Sequence, residues 1–406
     1  MRLKSTHVKN IIMQINKEGM RKINMASPYF SENDKNRIHQ EIDSILDSAL
    51  SMGNNVKLFE NEFASKVGVR HAIAMNSCTA TLEAALQYYD IKGREVIVPT
   101  ETFIATGMAV HLAGGVPIFS EISKDTFCLD LEDAQERVTP NTAGVILVHM
   151  AGMISPDAHN FRKFCDENGL FLIEDAAHSP GAVLNEKQAG SIGHVGCFSF
   201  YPSKIISSGE GGMLTTDDDD IANYARSYQN RGKDMKSSVE RYLIPGRNVR
   251  MSEMNALLGR VQLSHLDEYL YRRQQIANIY RDRLCDLQGV QLIIPEKHET
   301  SSFWKVILLM DLTIDRVAVT KYMKSKGVVV DWSYQPALHL QPVFKKLYNT
   351  YKGQLPYSED YLSRHICLPC HPRISDEEAH YVADTLRNTI SSFFKKSKIH
   401  RFIFCY

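Results

Sequence analysis

One lysine, Lys204, lies where its amine could do chemistry. The apolar residues 195–200 have the length of a buried strand, Pro202 follows them, and glycines cluster shortly after the lysine. Most lysines are solvated at the surface, which is the simpler interpretation of Lys204. An amine shielded by packing, however, loses its proton more readily and can form an imine with a carbonyl group. Ser199, at the end of the same run, is a candidate phosphate ligand.

Two adjacent carboxylates, Glu174 and Asp175, follow the apolar residues 170–173. In open α/β sheets, ligands bind beyond the carboxyl ends of the strands, so both side chains are candidates for a ligand site. A buried carboxylate needs a cationic partner. That partner is either a structural arginine or a cofactor with a protonated ring nitrogen, and these residues alone do not decide between the two.

The segment Ser77-Cys78-Thr79 precedes a helical pattern and is a candidate phosphate site. The free N–H groups and the dipole of a helix N-terminus favour an anion there. Serine and threonine also cap helices that bind nothing, so the segment alone is weak evidence. Further along, Asn248 and Arg250 precede a long helical stretch, although asparagine is common in any turn.

Short apolar runs of strand length alternate with helical patterns along the first part of the chain. The runs lie at residues 95–99, 115–122, 143–150 and 170–177. β-Branched residues recur in them, which is typical of buried parallel strands. Between two of the runs, residues 155–169 form a helical pattern that opens at Ser155 as its N-cap and closes at Gly169. The alternation predicts an α/β sheet with helices on both faces.

A long helical stretch after Ser252 predicts a connector to a second unit. The segments that follow it, ending in a last helical pattern, predict a smaller α+β unit. The predicted divisions are an N-terminal extension (1–30), a large domain (31–288), a small C-terminal domain (289–390) and a tail (391–406). The first helices of the large domain are candidates to pack on the small domain.

Composition argues against several classes of function. The chain has 406 residues, and its 47 basic and 47 acidic side chains cancel. This balance gives no support for nucleic acid or anionic lipid as a partner, and the apolar runs are too short to span a bilayer. Eight scattered cysteines without a leader indicate reduced thiols in the cytoplasm. The single C-x-x-C, Cys367 and Cys370, lacks the further ligands of a usual zinc site, so no metal is expected.

Taken together, the segments resemble the DegT/StrS-type sugar aminotransferases, a branch of the fold-type I enzymes that use pyridoxal 5'-phosphate (PLP). The resemblance covers roughly residues 31–388. The motifs that carry it are PTETFIAT, GVPIFSEI, VHMAG, EDAAHSPGA, FSFYPSK, GEGG, GRNVRMSEMNALLG, YQPALHLQP and LPCHP. The resemblance implies an α/β fold in which a large domain, with a mostly parallel mixed sheet flanked by helices, is joined to a smaller α+β C-terminal domain.

The resemblance also implies two catalytic residues. Lys204 matches the lysine that binds the cofactor covalently. Asp175 matches the carboxylate that keeps the pyridine nitrogen protonated, so that the ring can take up electrons. The expected cofactor-binding residues are Cys78, Thr79, Phe103, Asp175, His178, Ser199, Lys204 and Asn248.

Within this set, the resemblance gives each residue a position. His178 matches the residue that touches the ring hydroxyl, and Phe103 matches an aromatic side chain that lies against the ring. Thr79 and Ser199 match phosphate ligands. Asn248 matches a phosphate ligand that the partner subunit supplies, which implies a homodimer with shared active sites.

Three residues are candidates for substrate contact: Glu101, Arg250 and His339. His339 matches a histidine near the sugar site of the family. Two positions depart from the family pattern. Cys78 stands where relatives usually have glycine, which allows a close backbone approach to phosphate. Glu101 stands at a position where tyrosine is common.

The activity that the resemblance implies is transfer of an amino group, with L-glutamate as the expected donor, to a keto sugar. The sugar is either nucleotide-linked or a free keto-sugar acid, and the product would serve surface polysaccharide or related glycan synthesis. One alternative is a sugar dehydratase, although such relatives carry histidine at the position of Lys204. Another is a non-catalytic, PLP-binding or regulatory protein. No G-x-G-x-x-G follows a strand, which argues against a nicotinamide enzyme.

Overall fold

The computed structural model describes residues 22–295 and 299–403. Most of the predicted N-terminal extension and the last three residues of the predicted tail lie outside the described residues. The α-helices are α1 (Glu32–Leu46), α2 (Asn54–Val67), α3 (Cys78–Tyr88), α4 (Ile104–Leu112), α5 (Leu131–Glu136), α6 (Ala158–Glu167), α7 (Asp219–Gln229), α8 (Glu253–Leu263), α9 (Leu266–Leu284), α10 (Arg316–Ser325), α11 (Pro342–Tyr348), α12 (Pro356–Arg364) and α13 (Asp376–Ile403). The strands are β1 (His71–Met75), β2 (Glu95–Pro99), β3 (Val116–Ser120), β4 (Thr142–Val148), β5 (Phe171–Asp175), β6 (Val183–Leu184), β7 (Lys187–Gln188), β8 (Val195–Ser199), β9 (Gly212–Thr216), β10 (Val290–Ile293), β11 (Glu299–Thr300), β12 (Val306–Met310) and β13 (His365–Leu368).

A seven-stranded sheet forms the centre of the large domain, in the order β1-β9-β8-β5-β4-β2-β3. Strands β8, β5, β4, β2 and β3 pair in parallel, and β9 runs antiparallel to both of its neighbours. Every residue of β4, β5 and β8 is buried, which explains their continuous apolar sequences, because both faces of these strands are covered. The predicted α/β fold with a mostly parallel mixed sheet is confirmed.

Helices cover both faces of this sheet. Ala72 and Ala74 of β1 enter one apolar core, and Ile73 and Met75 enter another. Because successive side chains of a strand point to opposite faces, the two cores lie on opposite sides of the sheet. Side chains of α2 and α6 fill the first core, and side chains of α3, α4 and α7 fill the second.

A smaller unit follows the large sheet. Strand β12 pairs antiparallel with β10 on one side and β13 on the other, and these strands pack with α9, α10 and α13 around a third core. Ile23 pairs with Val328 and is buried in this core, so the described end of the N-terminal extension is attached to the small unit. Helix α13 continues past residue 391, where we expected the tail to begin.

The helices differ from expectation in three places. Helices α1 and α2 pack on α8 of the large unit rather than on the small one. The long stretch after Ser252 is two helices, α8 and α9, and Ser252 caps the first of them by accepting a hydrogen bond from the Asn255 N–H. Helix α6 begins after Asp157 rather than at Ser155, whose own N–H donates to Nδ1 of His149. No helix in the described part of the chain is long and apolar enough to cross a membrane.

Candidate active site

A cavity of about 470 Å³ opens at the carboxyl ends of the parallel strands. Val148, Asp175 and Ser199, the last residues of β4, β5 and β8, line it. This is the expected place for a ligand in an open α/β sheet. Of the predicted cofactor-binding residues, the cavity brings together Cys78, Thr79, Phe103, Asp175, His178, Ser199 and Lys204.

The loop between β8 and β9 holds Lys204 in the cavity. The Lys204 N–H donates to the Tyr201 carbonyl at 2.9 Å, and the Phe200 N–H donates to the Gly211 carbonyl at 2.9 Å, so the loop is closed at its base. Gly209 in this loop has a φ of +84°, a conformation that other residues rarely adopt. The Nζ atom of Lys204 lies 4.5 Å from the ring centroid of Trp304, which comes from the small unit.

Burial lowers the pKa of the Lys204 amine to about 8, since the charged form loses its hydration. The positive charge of Lys305 lowers this pKa further, and the negative charge of Asp175 partly opposes the shift. Lys305 also lies over the Trp304 ring, with its Nζ atom 4.4 Å from the centroid. A substantial fraction of Lys204 is therefore neutral near physiological pH and can act as a nucleophile or a base.

The two adjacent carboxylates have different surroundings. Glu174 bonds to Nε2 of His149 at 2.7 Å and accepts hydrogen bonds from the N–H groups of Gly190, Ile192 and Gly193. Its partners are thus a histidine and the backbone rather than the arginine that we considered, and they make Glu174 part of the loop structure. Asp175 makes no salt bridge within the described residues.

Asp175 lines the cavity and is held by two hydrogen bonds. Its Oδ2 accepts from the Thr106 hydroxyl at 2.8 Å, and its Oδ1 accepts from the Ala177 N–H at 3.2 Å. Burial raises the pKa of this carboxyl above its usual value, while both hydrogen bonds and the charge of Lys204 lower it. A cationic ring nitrogen in the cavity would complete the interactions of this carboxylate.

A helix N-terminus also lines the cavity. Ser77 caps α3 by accepting a hydrogen bond from the Ala80 N–H at 3.2 Å, and the first amides of the helix, at Cys78 and Thr79, have no acceptor within it. Gly212 of β9 lies close to the start of α3 because it has no side chain: a Cβ at this position would lie 2.4 Å from the Ser77 carbonyl carbon. Burial raises the pKa of the Cys78 thiol, so no thiolate competes with an anion here.

His178 stacks on Trp304, with ring centroids 3.8 Å apart and planes 11° apart. Its Nε2 bonds to the Tyr334 hydroxyl at 2.8 Å, whereas its Nδ1 is buried without a partner. Burial and the nearby positive charge of Lys204 hold the pKa of His178 well below its usual range, so the ring is neutral. An unpaired nitrogen at the cavity is suited to a polar substituent of a bound ring.

The arrangement fits PLP. One cavity contains a group for each part of the cofactor. The amine of a lysine suits the aldehyde, a carboxylate suits the ring nitrogen, and an unpaired histidine nitrogen suits the ring hydroxyl. A helix N-terminus, together with Ser199, suits the phosphate. Phe103 lies at its edge with 55% of its surface exposed, and Tyr201 beside it is 50% exposed.

Four predicted contacts lie elsewhere in the chain. Asn248 is exposed and pairs with Asn230, and Nη1 of Arg250 donates to Oδ1 of Asn230 at 2.7 Å. Neither residue lines the cavity of its own chain.

Glu101 and His339 are also outside the residues that line the cavity. His339 is fully buried, and its two ring nitrogens bond to the Thr100 hydroxyl at 2.6 Å and to Glu359 at 3.1 Å. These contacts are those of a core histidine and give no support to a sugar contact. Glu101 is fully buried as well, and both of its carboxyl oxygens lack partners in the described structure.

Sequence reasoning missed Thr106, Trp304, Tyr334 and Lys305. Thr106 lies in the PTETFIAT motif, one helical turn after Thr102, and this spacing at the end of a strand was an available signal. Trp304 and Tyr334 come from the small unit, and only the tertiary fold brings them to the cavity.

A lysine and a carboxylate face one cavity of this two-unit α/β fold, as the resemblance to fold-type I transferases implies. Residues 32–387 match the model of the DegT/DnrJ/EryC1/StrS aminotransferase family. The chain is 32% identical over 368 residues to the spore coat polysaccharide biosynthesis protein SpsC of Bacillus subtilis, covering 86% of this chain and 94% of that protein. It is 31% identical over 369 residues to the GDP-perosamine synthase of Vibrio cholerae, covering 90% and 98%.

Solved structures show the same architecture. DesI, determined in the presence of its TDP-sugar product, aligns with a TM-score of 0.83 and 33% identity, covering 94% of this chain and 96% of that one. Because the family model spans most of the sequence, this chain belongs to the DegT/DnrJ/EryC1/StrS aminotransferase family.

Proposed function

We propose that the chain is a PLP-dependent aminotransferase that transfers an amino group to a keto sugar. The observation that carries the proposal is the placement of Lys204 and Asp175 at one cavity, with burial lowering the pKa of the lysine to about 8. Bound PLP would supply an aldehyde that accepts amines and a ring that takes up electrons from the carbon being deprotonated. The family membership supports the same activity.

Lys204 has two tasks in this proposal. Its neutral Nζ would hold the cofactor, and when free of it the same nitrogen would remove the proton from the donor carbon. The lowered pKa favours both tasks, since each requires an unprotonated amine. A histidine at this position could not attach the cofactor, so Lys204 argues against the dehydratase alternative.

Asp175 and the rim of the cavity hold the cofactor. The carboxylate of Asp175 would keep the ring nitrogen protonated, and the stacked rings of His178 and Trp304 line the same cavity. The amides of Cys78 and Thr79, with the hydroxyl of Ser199, are placed to bind the phosphate. These residues therefore orient the ring relative to the amine of Lys204.

The acceptor in this proposal is a nucleotide-linked keto sugar, and L-glutamate is the donor. The names of two relatives support a nucleotide sugar, since one makes GDP-perosamine and the other was solved with a TDP-sugar product. A free keto-sugar acid is the second candidate. The product would enter polysaccharide or related glycan synthesis, in line with the name of the Bacillus subtilis relative.

The active enzyme in this proposal is a cytoplasmic homodimer whose two subunits share each site. Asn248 is exposed and outside the cavity of its own chain, which suits a phosphate ligand reaching into the partner. The exposed aromatic rings of Phe103 and Tyr201 at the cavity edge are apolar surface that a second copy would cover. The described cysteines are free thiols, in keeping with a reducing compartment.

Borohydride reduction of the PLP-loaded protein tests the proposal. Reduction fixes the cofactor to the side chain that holds it, and mass spectrometry of the peptides locates it. We expect the adduct on Lys204, its loss in Lys204→Ala, and its retention in the control Lys305→Met, which removes the other lysine at the Trp304 ring. An adduct on Lys305 or another lysine would refute the assignment.

A further inference from the structure

Two threonine hydroxyls form a directed chain that ends on the proposed cofactor carboxylate. The Thr106 hydroxyl donates to Oδ2 of Asp175 at 2.8 Å, and the hydroxyls of Thr102 and Thr106 are 2.8 Å apart. A hydroxyl carries a single proton, so Thr106, having donated to Asp175, accepts from Thr102. The chain therefore runs from Thr102 through Thr106 to the carboxylate.

The residues that form this chain of hydrogen bonds are buried. Thr106 is fully buried and Thr102 nearly so, while Asp175 is 6% exposed. Within the described residues, the Thr106 hydroxyl is the donor to Oδ2, and Oδ1 has only the Ala177 N–H at 3.2 Å. Without the Thr106 hydroxyl, the buried Oδ2 atom would have no hydrogen-bond donor among the described residues. Leaving a charged oxygen unpaired in the interior costs free energy.

The two threonine hydroxyls also lie at the first turn of α4, next to Phe103. Phe103 is the N-cap residue of α4 but makes no side-chain capping bond. The Thr102–Thr106 contact spans this first turn, and the Thr106 N–H donates to the Phe103 carbonyl at 3.1 Å. The hydroxyls that reach Asp175 therefore lie on the same helical turn as Phe103.

We propose that Thr106 is a positioning residue that holds Asp175 ionised and oriented toward the cofactor ring nitrogen, and that Thr102 orients the Thr106 hydroxyl. This inference rests on the proposed function, because it assigns a task to residues of the same site. Its physical basis is that a hydrogen bond donated to a carboxylate stabilises the charged form. The neighbouring charge of Lys204 acts in the same direction, against the effect of burial.

The variant Thr106→Val removes the hydroxyl and keeps the shape of the side chain. Asp175 should then be ionised less readily and hold the ring nitrogen less well. We expect the Kd for PLP to rise by about tenfold, which is the scale of one charge-assisted hydrogen bond. We also expect the ring nitrogen, followed by ¹⁵N NMR of labelled PLP on the enzyme, to lose its proton at a lower pH.

Conservative and control variants separate positioning from folding. Thr106→Ser retains a donor and should restore both the PLP affinity and the ¹⁵N titration. Thr102→Val should shift both in the same direction as Thr106→Val, by about threefold in Kd, because Thr106 keeps its bond to Asp175. Thr215→Val removes another buried hydroxyl bond, to the Gly190 carbonyl at 2.7 Å, and should leave the ring nitrogen titration unchanged.

The outcomes distinguish this inference from the proposed function. An unchanged ¹⁵N titration in both Thr106→Val and Thr102→Val, in protein that carries PLP on Lys204, would overturn the positioning role alone. A failure of Thr106→Ser to restore the titration would overturn it as well. A wild-type protein that binds no PLP would overturn the proposed function and this inference together. If Thr106→Val does not fold, Thr102→Val and Thr106→Ser still decide the question.

Discussion

In the cofactor-free protein, the amine of Lys204 is expected to titrate near pH 8 rather than at its usual value of 10.5. Loss of hydration in the cavity is the main cause, and the charge of Lys305 adds to it. Asp175 acts in the opposite direction, because its negative charge favours the protonated amine. The signs of the Asp175 and Lys305 contributions can be tested separately, since each side chain can be replaced on its own.

The size of the effect is large enough to measure. At pH 7.5, a group with a pKa of about 8 is neutral in roughly a quarter of the molecules, whereas a lysine at 10.5 is neutral in roughly one in a thousand. The reactive population of Lys204 is therefore about 200-fold larger than that of an unperturbed lysine. A reagent that attacks only neutral amines should detect this difference.

Pulse labelling with acetic anhydride across a pH series, with each lysine peptide quantified by mass spectrometry, measures the titration. We expect half-maximal labelling of Lys204 near pH 8 in the wild type. Asp175→Asn should lower the midpoint, because it removes a negative charge that stabilises the ammonium. Lys305→Met should raise it, because it removes a repelling positive charge.

Two results would refute this reasoning. A wild-type midpoint near 10.5 would mean that the amine is hydrated rather than buried. Shifts of the same sign in Asp175→Asn and Lys305→Met would mean that local unfolding, rather than charge, controls the titration. Circular dichroism and thermal unfolding of each variant provide the control for folding.

Burial raises the pKa of Glu101 well above its usual value, so this residue should lower the stability of the folded wild type as pH rises through the range in which the unfolded chain ionises. The variant Glu101→Gln lacks this contribution. The gain in Tm of Glu101→Gln over the wild type should therefore widen between pH 5 and 8, at roughly 1 °C per kcal/mol in a chain of this size. A constant difference in Tm would show that Glu101 ionises as readily in the folded protein as in the unfolded chain. Gly212→Ala places a Cβ 2.4 Å from the Ser77 carbonyl carbon, so it should displace the start of α3, cost about 1–3 kcal/mol of stability and weaken PLP binding. Equilibrium urea unfolding measures the first effect and a PLP titration the second. Unchanged PLP affinity would argue against a phosphate at α3. Co-refolding inactive Lys204→Ala with inactive Asn248→Asp should restore up to about half of the wild-type activity per mixed dimer, because one of its two sites has both residues intact. No recovery in demonstrated mixed dimers would place the whole site within one chain.

Local motifs made much of the large domain predictable. The apolar runs at β2, β4 and β5 are buried on both faces, so their sequences are continuous, and the structure places these strands within two residues of expectation. Lys204 and Asp175 could be singled out because Asp175 is the last residue of the apolar strand β5 and Lys204 follows the end of β8 by five residues, at the edge where ligands bind. The fold and the family were therefore within reach of the sequence.

The contacts between the units were not predictable in the same way. Trp304 reaches the cavity only because β12 and the small unit pack beside the β8–β9 loop, where the indole Nε1–H of Trp304 donates to the Ser203 carbonyl at 2.7 Å. His339 resembles a substrate ligand in the sequence, but its ring lies in the core between Thr100 and Glu359. In both residues, the surroundings of the side chain depend on partners that are distant in sequence.

The most direct test of the account is a single half-reaction. PLP-loaded protein is mixed with L-glutamate in the absence of any acceptor, the 2-oxoglutarate formed is quantified, and a nucleotide-linked keto sugar is then added. We expect 2-oxoglutarate in an amount stoichiometric with the active sites, followed by recovery of the PLP absorbance and formation of an amino sugar, with neither step in Lys204→Ala. Release of no 2-oxoglutarate with L-glutamate or any other amino acid, or the same release from Lys204→Ala, would contradict the assignment of this chain as an aminotransferase that works through Lys204.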